Sequence, residues 1–276
     1  MAFVVVLVIV VVVWRAGSGA AAPFVVRAGG STPVKSCETE YPTSPLVVGK
    51  SVLSQHIRYI ATKHDPTTPV TKFGGQPNWI SKPQWPLSRS TGKQMTFVGQ
   101  VVLDHTTFPG AKGKIAYLFV TAFDDGSPES EPWNPDAGEN AVIIQPGGKL
   151  TVTVAGDRTG PTSETLVPNP STGKSAYQPV VYRVGLSPHL DQPFISDSSI
   201  VTLGTSEQDK YFSSIDGDKI GGTPAFIQPA EFPCSANRLL LQLEDPPFDI
   251  NLGDGGDGYA YIDDTGTVGK FLSQSH

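Results

Sequence analysis

The sequence predicts a strand-dominated α+β fold, a single domain with an internal pseudo-twofold duplication of one β-rich unit. Three observations carry this. The chain holds 29 Gly and 25 Pro in 276 residues, and neither residue suits a helix interior. Short apolar runs alternate with turn-forming loops such as PGGK, AGDRTGP, PNPSTGK and GDGGDG, the punctuation expected between strands. One ordered set of landmarks also occurs twice along the chain.

Taken in order, the chain opens on an unbroken apolar run from Phe3 to Trp14. A helix of that length covers about 18 Å, short of the roughly 30 Å hydrocarbon core of a bilayer. The length suits the apolar region of a signal peptide, and Ala20 to Ala22 supply small residues for cleavage. Against export, no Lys or Arg precedes the run, Arg15 follows it, and Pro23 obstructs cleavage after Ala22. The valines also suit a strand, and a misplaced start is a third account. Export or tethering and a cytoplasmic location therefore stay equally open. Residues 1–31 read as this segment with its linker, and residues 32–276 as the domain.

Val47 to Thr62 is predicted to be a helix. Val52, Leu53, His56, Ile57 and Ile60 recur at helical spacing, Ser51 can cap the start, and Pro66 and Pro69 follow the end. Strands are predicted over Met95–Leu103, Lys114–Ala122, Asn140–Gln145, Leu150–Val154, Pro179–Val184, Leu239–Leu243 and Tyr259–Ile262. A weaker helix is predicted between Thr205 and Ser214. Residues 124–139, acidic and rich in Pro, read as an exposed loop.

The repeated landmarks are a Lys-apolar-Gly-Gly-x-Pro corner, a strand with a central glutamine, and an Ala-Tyr strand. They appear as Lys72 to Pro77, Gln100 and Ala116-Tyr117, and again as Lys219 to Pro224, Gln242 and Ala260-Tyr261. Lys72 precedes Gln100 by 28 positions and Lys219 precedes Gln242 by 23. The glutamine-to-tyrosine spacings are 17 and 19. Repeat one spans about 71–124 and repeat two about 218–264. Paired glycines permit positive φ or close backbone approach, and a buried glutamine must satisfy both ends of its amide. Two readings follow. The glutamines lock backbone groups of the neighbouring Gly-Gly turn, or Lys72, Gln100, Lys219 and Gln242 line a cleft on the pseudo-twofold axis.

Thr71 to Pro77, Trp85-Pro86, Thr96 to Leu103, Lys219 to Pro224, Leu239 to Leu243 and the Gly253 to Tyr261 stretch together resemble the YwqG-like family, a domain of unknown function. The resemblance covers roughly residues 65 to 265. It implies a mixed, strand-dominated fold and brings no established activity. The occurrence of some relatives in bacterial toxin–immunity gene neighbourhoods implies an immunity-type context. The apolar N-terminus departs from the family's cytosolic appearance.

No residue set names a reaction. The net charge of −6 gives no electrostatic basis for binding nucleic acid. STGKS at Ser171 to Ser175 lacks the glycine of a phosphate-binding loop, with Pro168 in its place. The S-x-x-K pairs Ser90–Lys93 and Ser171–Lys174 sit in turn-rich sequence, where the one-face helical geometry fails. Asp249 and Asn251 begin like a calcium loop, but Gly253-Asp254 reverses the required order. The run reads as a tight turn feeding the last strand, with a hard-cation site built from Asp249, Asn251, Asp254 and Asp257 as the alternative. His64-Asp65 and His189-x-Asp191 are base–orienter candidates, and the doublets Asp124-Asp125 and Asp263-Asp264 are carboxylate candidates. Cys37 and Cys234 read as two free thiols, or as one disulfide in an exported chain.

The expected function is a non-enzymatic binding or interaction protein, with rigid loops around Trp79, Trp85 and Trp133 as its surface. The alternative is a hydrolase with a carboxylate- or metal-dependent site. The candidate binding residues are Lys72, Gln100, Lys219, Gln242, Asp254 and Asp257. No metal or cofactor is expected. The partner is a protein or a small molecule, and any membrane contact runs through the N-terminal run.

Overall fold

A computed structural model of the chain describes residues 50–122, 131–168, 171–250 and 252–276. The apolar run at 3–14, its linker, Cys37, the Asp124-Asp125 doublet and Asn251 lie outside the described residues.

In chain order the strands are β1 (Val52–Ala61), β2 (Lys72–Gly74), β3 (Trp85–Pro86), β4 (Thr96–Val102), β5 (Ile115–Val120), β6 (Asn140–Gln145), β7 (Val154–Ala155), β8 (Glu164–Pro168), β9 (Ser175–Pro179), β10 (Val181–Asp191), β11 (Lys219–Gly221), β12 (Arg238–Leu243), β13 (Asp257–Ile262) and β14 (Gly269–Gln274). Helices α1 (Asp197–Ile200) and α2 (Thr205–Ser213) lie between β10 and β11. Among the described residues no helix is long and apolar enough to cross a membrane.

Ten strands form one antiparallel sheet in the order β14-β13-β12-β11-β1-β10-β2-β4-β5-β6. Its centre is the long pair β1–β10, in register from Val52 opposite Asp191 to Ala61 opposite Tyr182. Each member of the pair extends the other half of the chain: β1 bonds to β11, and β10 bonds to β2. The outermost strands, β6 and β14, pack together, so the sheet is a nearly closed barrel. Gly269 makes this approach possible, because a Cβ there would lie 2.6 Å from Val142 Cγ1. Lys149 N donates to Thr267 O at 2.7 Å, tying the loop after β6 to the turn before β14.

Strand alternation sorts the core. Ala116, Leu118 and Val120 of β5, Val142 and Ile144 of β6, and Ala260 and Ile262 of β13 share one central cluster with Phe73, Val98 and Phe271. The opposite faces are covered separately. Ile115, Tyr117 and Phe119 pack with Trp79 and Trp85, and Tyr259 and Tyr261 with Leu239 and Leu272. Strands covered on both faces read as continuous apolar runs, which is why β5 and β6 are plain in the sequence.

Several expectations are corrected. Of the helix expected over Val47–Thr62, residues 47–49 lie outside the described residues and Val52–Ala61 is the strand β1. Its β-branched and aromatic residues suit a pleated surface. Ile57 and Tyr59, two apart, pack on the central cluster, while the ten-residue ladder to β10 satisfies the backbone. The strand expected over Leu150–Val154 reduces to Val154–Ala155, paired with Trp85–Pro86. The Asp-rich turn feeds β13, which is followed by one more strand. Trp79 and Trp85 belong to the core at 9% and 0% exposure, leaving Trp133 at 54% as the exposed member of the three. Cys234 is disulfide-bonded, so it is not a free thiol. The segments Ser90–Lys93 and Ser171–Gly173 are turns, the latter between β8 and β9.

Candidate functional site

The two Lys-Gly-Gly corners are built from matching bonds. Lys72 on β2 forms an ion pair with Asp65 and donates to Gln76 O at 2.6 Å. Lys219 on β11 forms an ion pair with Asp191 at 2.7 Å and donates to Thr223 O at 2.6 Å. Each aspartate also accepts a backbone N–H beyond its glycines, Asp65 from Gln76 at 2.6 Å and Asp191 from Thr223 at 2.9 Å. Gly74, Gly75, Gly221 and Gly222 all have positive φ, from 62° to 87°. The strand glutamines stand opposite the lysines. Gln100 Oε1 accepts from Asn78 N at 2.9 Å, and Gln242 Oε1 from Ala225 N at 2.8 Å. Tyr117 and Tyr259 donate to the carbonyls of those same residues, Asn78 and Ala225. The counterpart of Tyr117 is therefore Tyr259, not Tyr261.

This geometry settles where the four repeat-related candidates lie. Lys72, Gln100, Lys219 and Gln242 are each fully buried. Their polar atoms bond within the corners, Gln242 Nε2 reaching Glu244 Oε1 at 2.8 Å as well, and they line neither of the cavities described below. Burial lowers the pKa of both ammonium groups, and the paired aspartates oppose that shift. A buried lysine tied to a carboxylate and to carbonyls fixes a turn.

The halves differ just beyond the second corner. Thr71 Oγ1 accepts Val102 N at 3.0 Å, and in the corresponding place Asp218 Oδ1 accepts Glu244 N at 2.7 Å. An uncharged pair in one half faces two carboxyl groups in the other. Asp216 and Asp257 stand close enough to act on Glu244. Burial first, and then the Asp216 charge, raise Glu244 to about 7, while a bond from Gly217 N opposes the shift. Burial raises Asp257 to about 6, against the opposing bond from Tyr259 Oη at 3.2 Å. Asp218 is also raised, chiefly by burial. Carboxyl groups poised near neutrality are the state general acid–base chemistry needs.

A cleft of about 1080 Å³ lies elsewhere. Gly75 and Gln76 from the first corner, Thr96 and Val98 of β4, Val120 to Ala122, Gly160 to Glu164, Tyr177, Pro179 and residues around Asp249 and Asp254 form its walls. Its charged side chains are Glu164, Asp249 and Asp254, all exposed. A smaller cavity of about 310 Å³ lies between α1, α2 and residues 224–229 and is mainly apolar. Of the sequence candidates, Asp254 thus sits on the large cleft and Asp257 in the carboxyl group cluster.

Among the remaining motifs, Asp65 serves Lys72 and Gln76. Asp263 Oδ1 accepts from Thr267 N and Val268 N and closes the β13–β14 turn. Its partner in the doublet, Asp264, faces Arg238 at 3.7 Å. Sequence reading missed Glu244 and Asp216. The signal was there: aligning the halves on their glutamines puts Glu244 opposite Val102.

Fold and site define a strand-built single domain with two glycine-cornered arms and an acidic cleft. Residues 71–266 match the family described as Domain of unknown function (DUF1963), and the chain belongs to that family. No curated protein matches the chain.

Proposed function

We propose that the chain is a non-enzymatic binding protein whose ligand seats in the cleft carrying Glu164, Asp249 and Asp254. One observation carries this reading. The cleft is lined by threonines, backbone groups and three carboxylates, and among its described lining there is no histidine, cysteine, lysine or arginine. Such a wall offers acceptors and negative charge but no nucleophile–base pair. The matching ligand presents a cationic group, such as a Lys- or Arg-bearing segment of a protein partner. The YwqG-like character of Thr71 to Pro77 and Lys219 to Pro224 supports an immunity-type interaction. The related corners and the symmetric strand order support descent of the fold from a duplicated unit.

The test is affinity capture on tagged wild-type chain and on an Asp249→Lys/Asp254→Lys variant. We expect a stoichiometric partner on the wild type that the variant loses at an unchanged melting temperature. A partner held equally by both chains, or none on either, overturns the reading.

A second reading, a carboxylate-dependent hydrolase, is favoured by the buried pair Glu244 and Asp257, whose pKa values stand at about 7 and about 6. Its test is hydrolysis of a panel of ester, glycoside and phosphoester substrates. Turnover abolished by Glu244→Gln supports it, and a wild-type chain inert on the whole panel counts against it.

A further inference from the structure

The central strand pair carries a group of side chains that neither reading uses. Ser54 and His56 lie on β1, and His189 and Asp191 on β10. Ser54 stands opposite His189, and His56 opposite Ser187, so alternation puts all four side chains on one face of the sheet. Ile57 and Tyr59 project from the other face into the core.

The imidazoles of His56 and His189 meet edge to face, with centroids 4.7 Å apart. One ligand atom from each of His56, His189 and Asp191 lies within 4.8 Å of the other two. Among the described residues this is the grouping of three such side chains with ligand spacing.

The group has the supporting bonds of a built site. His189 Nε2 lies 3.3 Å from Ser214 O. A carbonyl can only accept, so Nε2 carries the hydrogen, and in the neutral ring Nδ1 keeps its lone pair, the arrangement that orients ligating histidines. Asp191 Oδ2 takes Lys219 and Thr223 N, while Oδ1 takes only Ser54 Oγ, at 2.5 Å, and keeps a lone pair. His56 Nε2 is shielded from solvent and has no hydrogen-bond partner in the protein. Buried polar atoms are rarely left so without cause. The loop after α2 passes over both rings, since a Cβ on Gly217 would lie 3.9 Å from His56 Nδ1.

We propose that His56, His189 and Asp191 form a binding site for a borderline divalent transition-metal ion such as Zn²⁺. Two neutral imidazoles and one carboxylate are a donor set that suits this class of ion and leaves one tetrahedral position open. Ser54 and Ser214 act as the outer partners that hold the carboxylate and one ring. The first corner has no such group: Lys63 precedes Asp65 by two as His189 precedes Asp191, and Tyr182, paired with Ala61 four before Asp65, stands where the second has His56, paired with Ser187 four before Asp191.

The test is isothermal titration of the untagged chain with Zn²⁺, together with visible absorption on adding Co²⁺. We expect one equivalent bound, with Co²⁺ bands of a low-coordinate site. His189 is exposed, so His189→Ala should fold, and we expect it to weaken Zn²⁺ binding by about tenfold or more. His56→Ala should do the same. Joint replacement of His64, His105 and His276 by Ala should leave binding unchanged. No Zn²⁺ heat and no Co²⁺ bands on the wild type, or equal affinity in wild type and His189→Ala, would overturn the site. The variants differ from those of the cleft and the hydrolase test, so each idea fails separately.

Discussion

At the scale of single residues, buried ionisable groups dominate. Lys219 and Asp191 are both fully buried, and a buried pair broken by removing one partner leaves an uncompensated charge. We therefore expect Asp191→Ala to lower stability by about 3–5 kcal/mol in urea denaturation. Asp65 is 32% exposed, so Asp65→Ala should cost less, because water can solvate the freed lysine. Glu244 makes the opposite kind of contribution. Its folded pKa, about 7, lies above its ordinary value of 4.5. The folded state thus holds the proton more tightly, and stability falls as pH rises through that window. Glu244→Gln keeps an acceptor for Gln242 and removes the charge. We expect similar melting temperatures for variant and wild type near pH 4.5, and a higher one for the variant at pH 8. Legibility at this scale was uneven. The lysines and glutamines stood out because they repeat, but their burial did not, since a charged side chain in a short motif looks alike whether it faces a ligand or a carbonyl. The His56–His189 contact was invisible because its members are 133 positions apart in the chain.

At the scale of elements, the Gly-Gly corners connect sequence to fold. Gly222 has φ +87°, and a Cβ there would run into the Asp191 carboxylate and the Ser54 side chain. We expect Gly222→Ala to cost about 1–3 kcal/mol from backbone strain, with the clash adding to it. Gly92 is the control, because its φ is +70° but nothing lies within 4 Å of the added Cβ. Gly92→Ala should report the strain alone and cost less. Strands buried on both faces, β4, β5, β6, β12 and β13, were legible as apolar runs. β2 and β11, of three residues each, were legible only as repeated motifs. β1 misled because its residues satisfy a helical spacing by coincidence, and the β10 ladder that decides its state is more than a hundred positions away.

At the scale of the whole molecule, the barrel is held by packing where the ladder stops. Gly269 lets β14 rest on Val142 of β6, and there is no room at that seam for a branched side chain. We expect Gly269→Val to force the two outer strands apart at a cost of about 1–3 kcal/mol, read by denaturant midpoint. The strand-dominated class was legible from composition and punctuation. Closure was not, because the residues that meet at the seam carry no shared pattern.

The central pair has one more consequence. Because β1 completes the arm of the second half and β10 completes that of the first, neither half contains a finished sheet. Severed at the β8–β9 connection, the chain would yield two fragments, each with an uncovered strand edge that only the other can cap. Such fragments should be insoluble when expressed singly and should reassemble when expressed together.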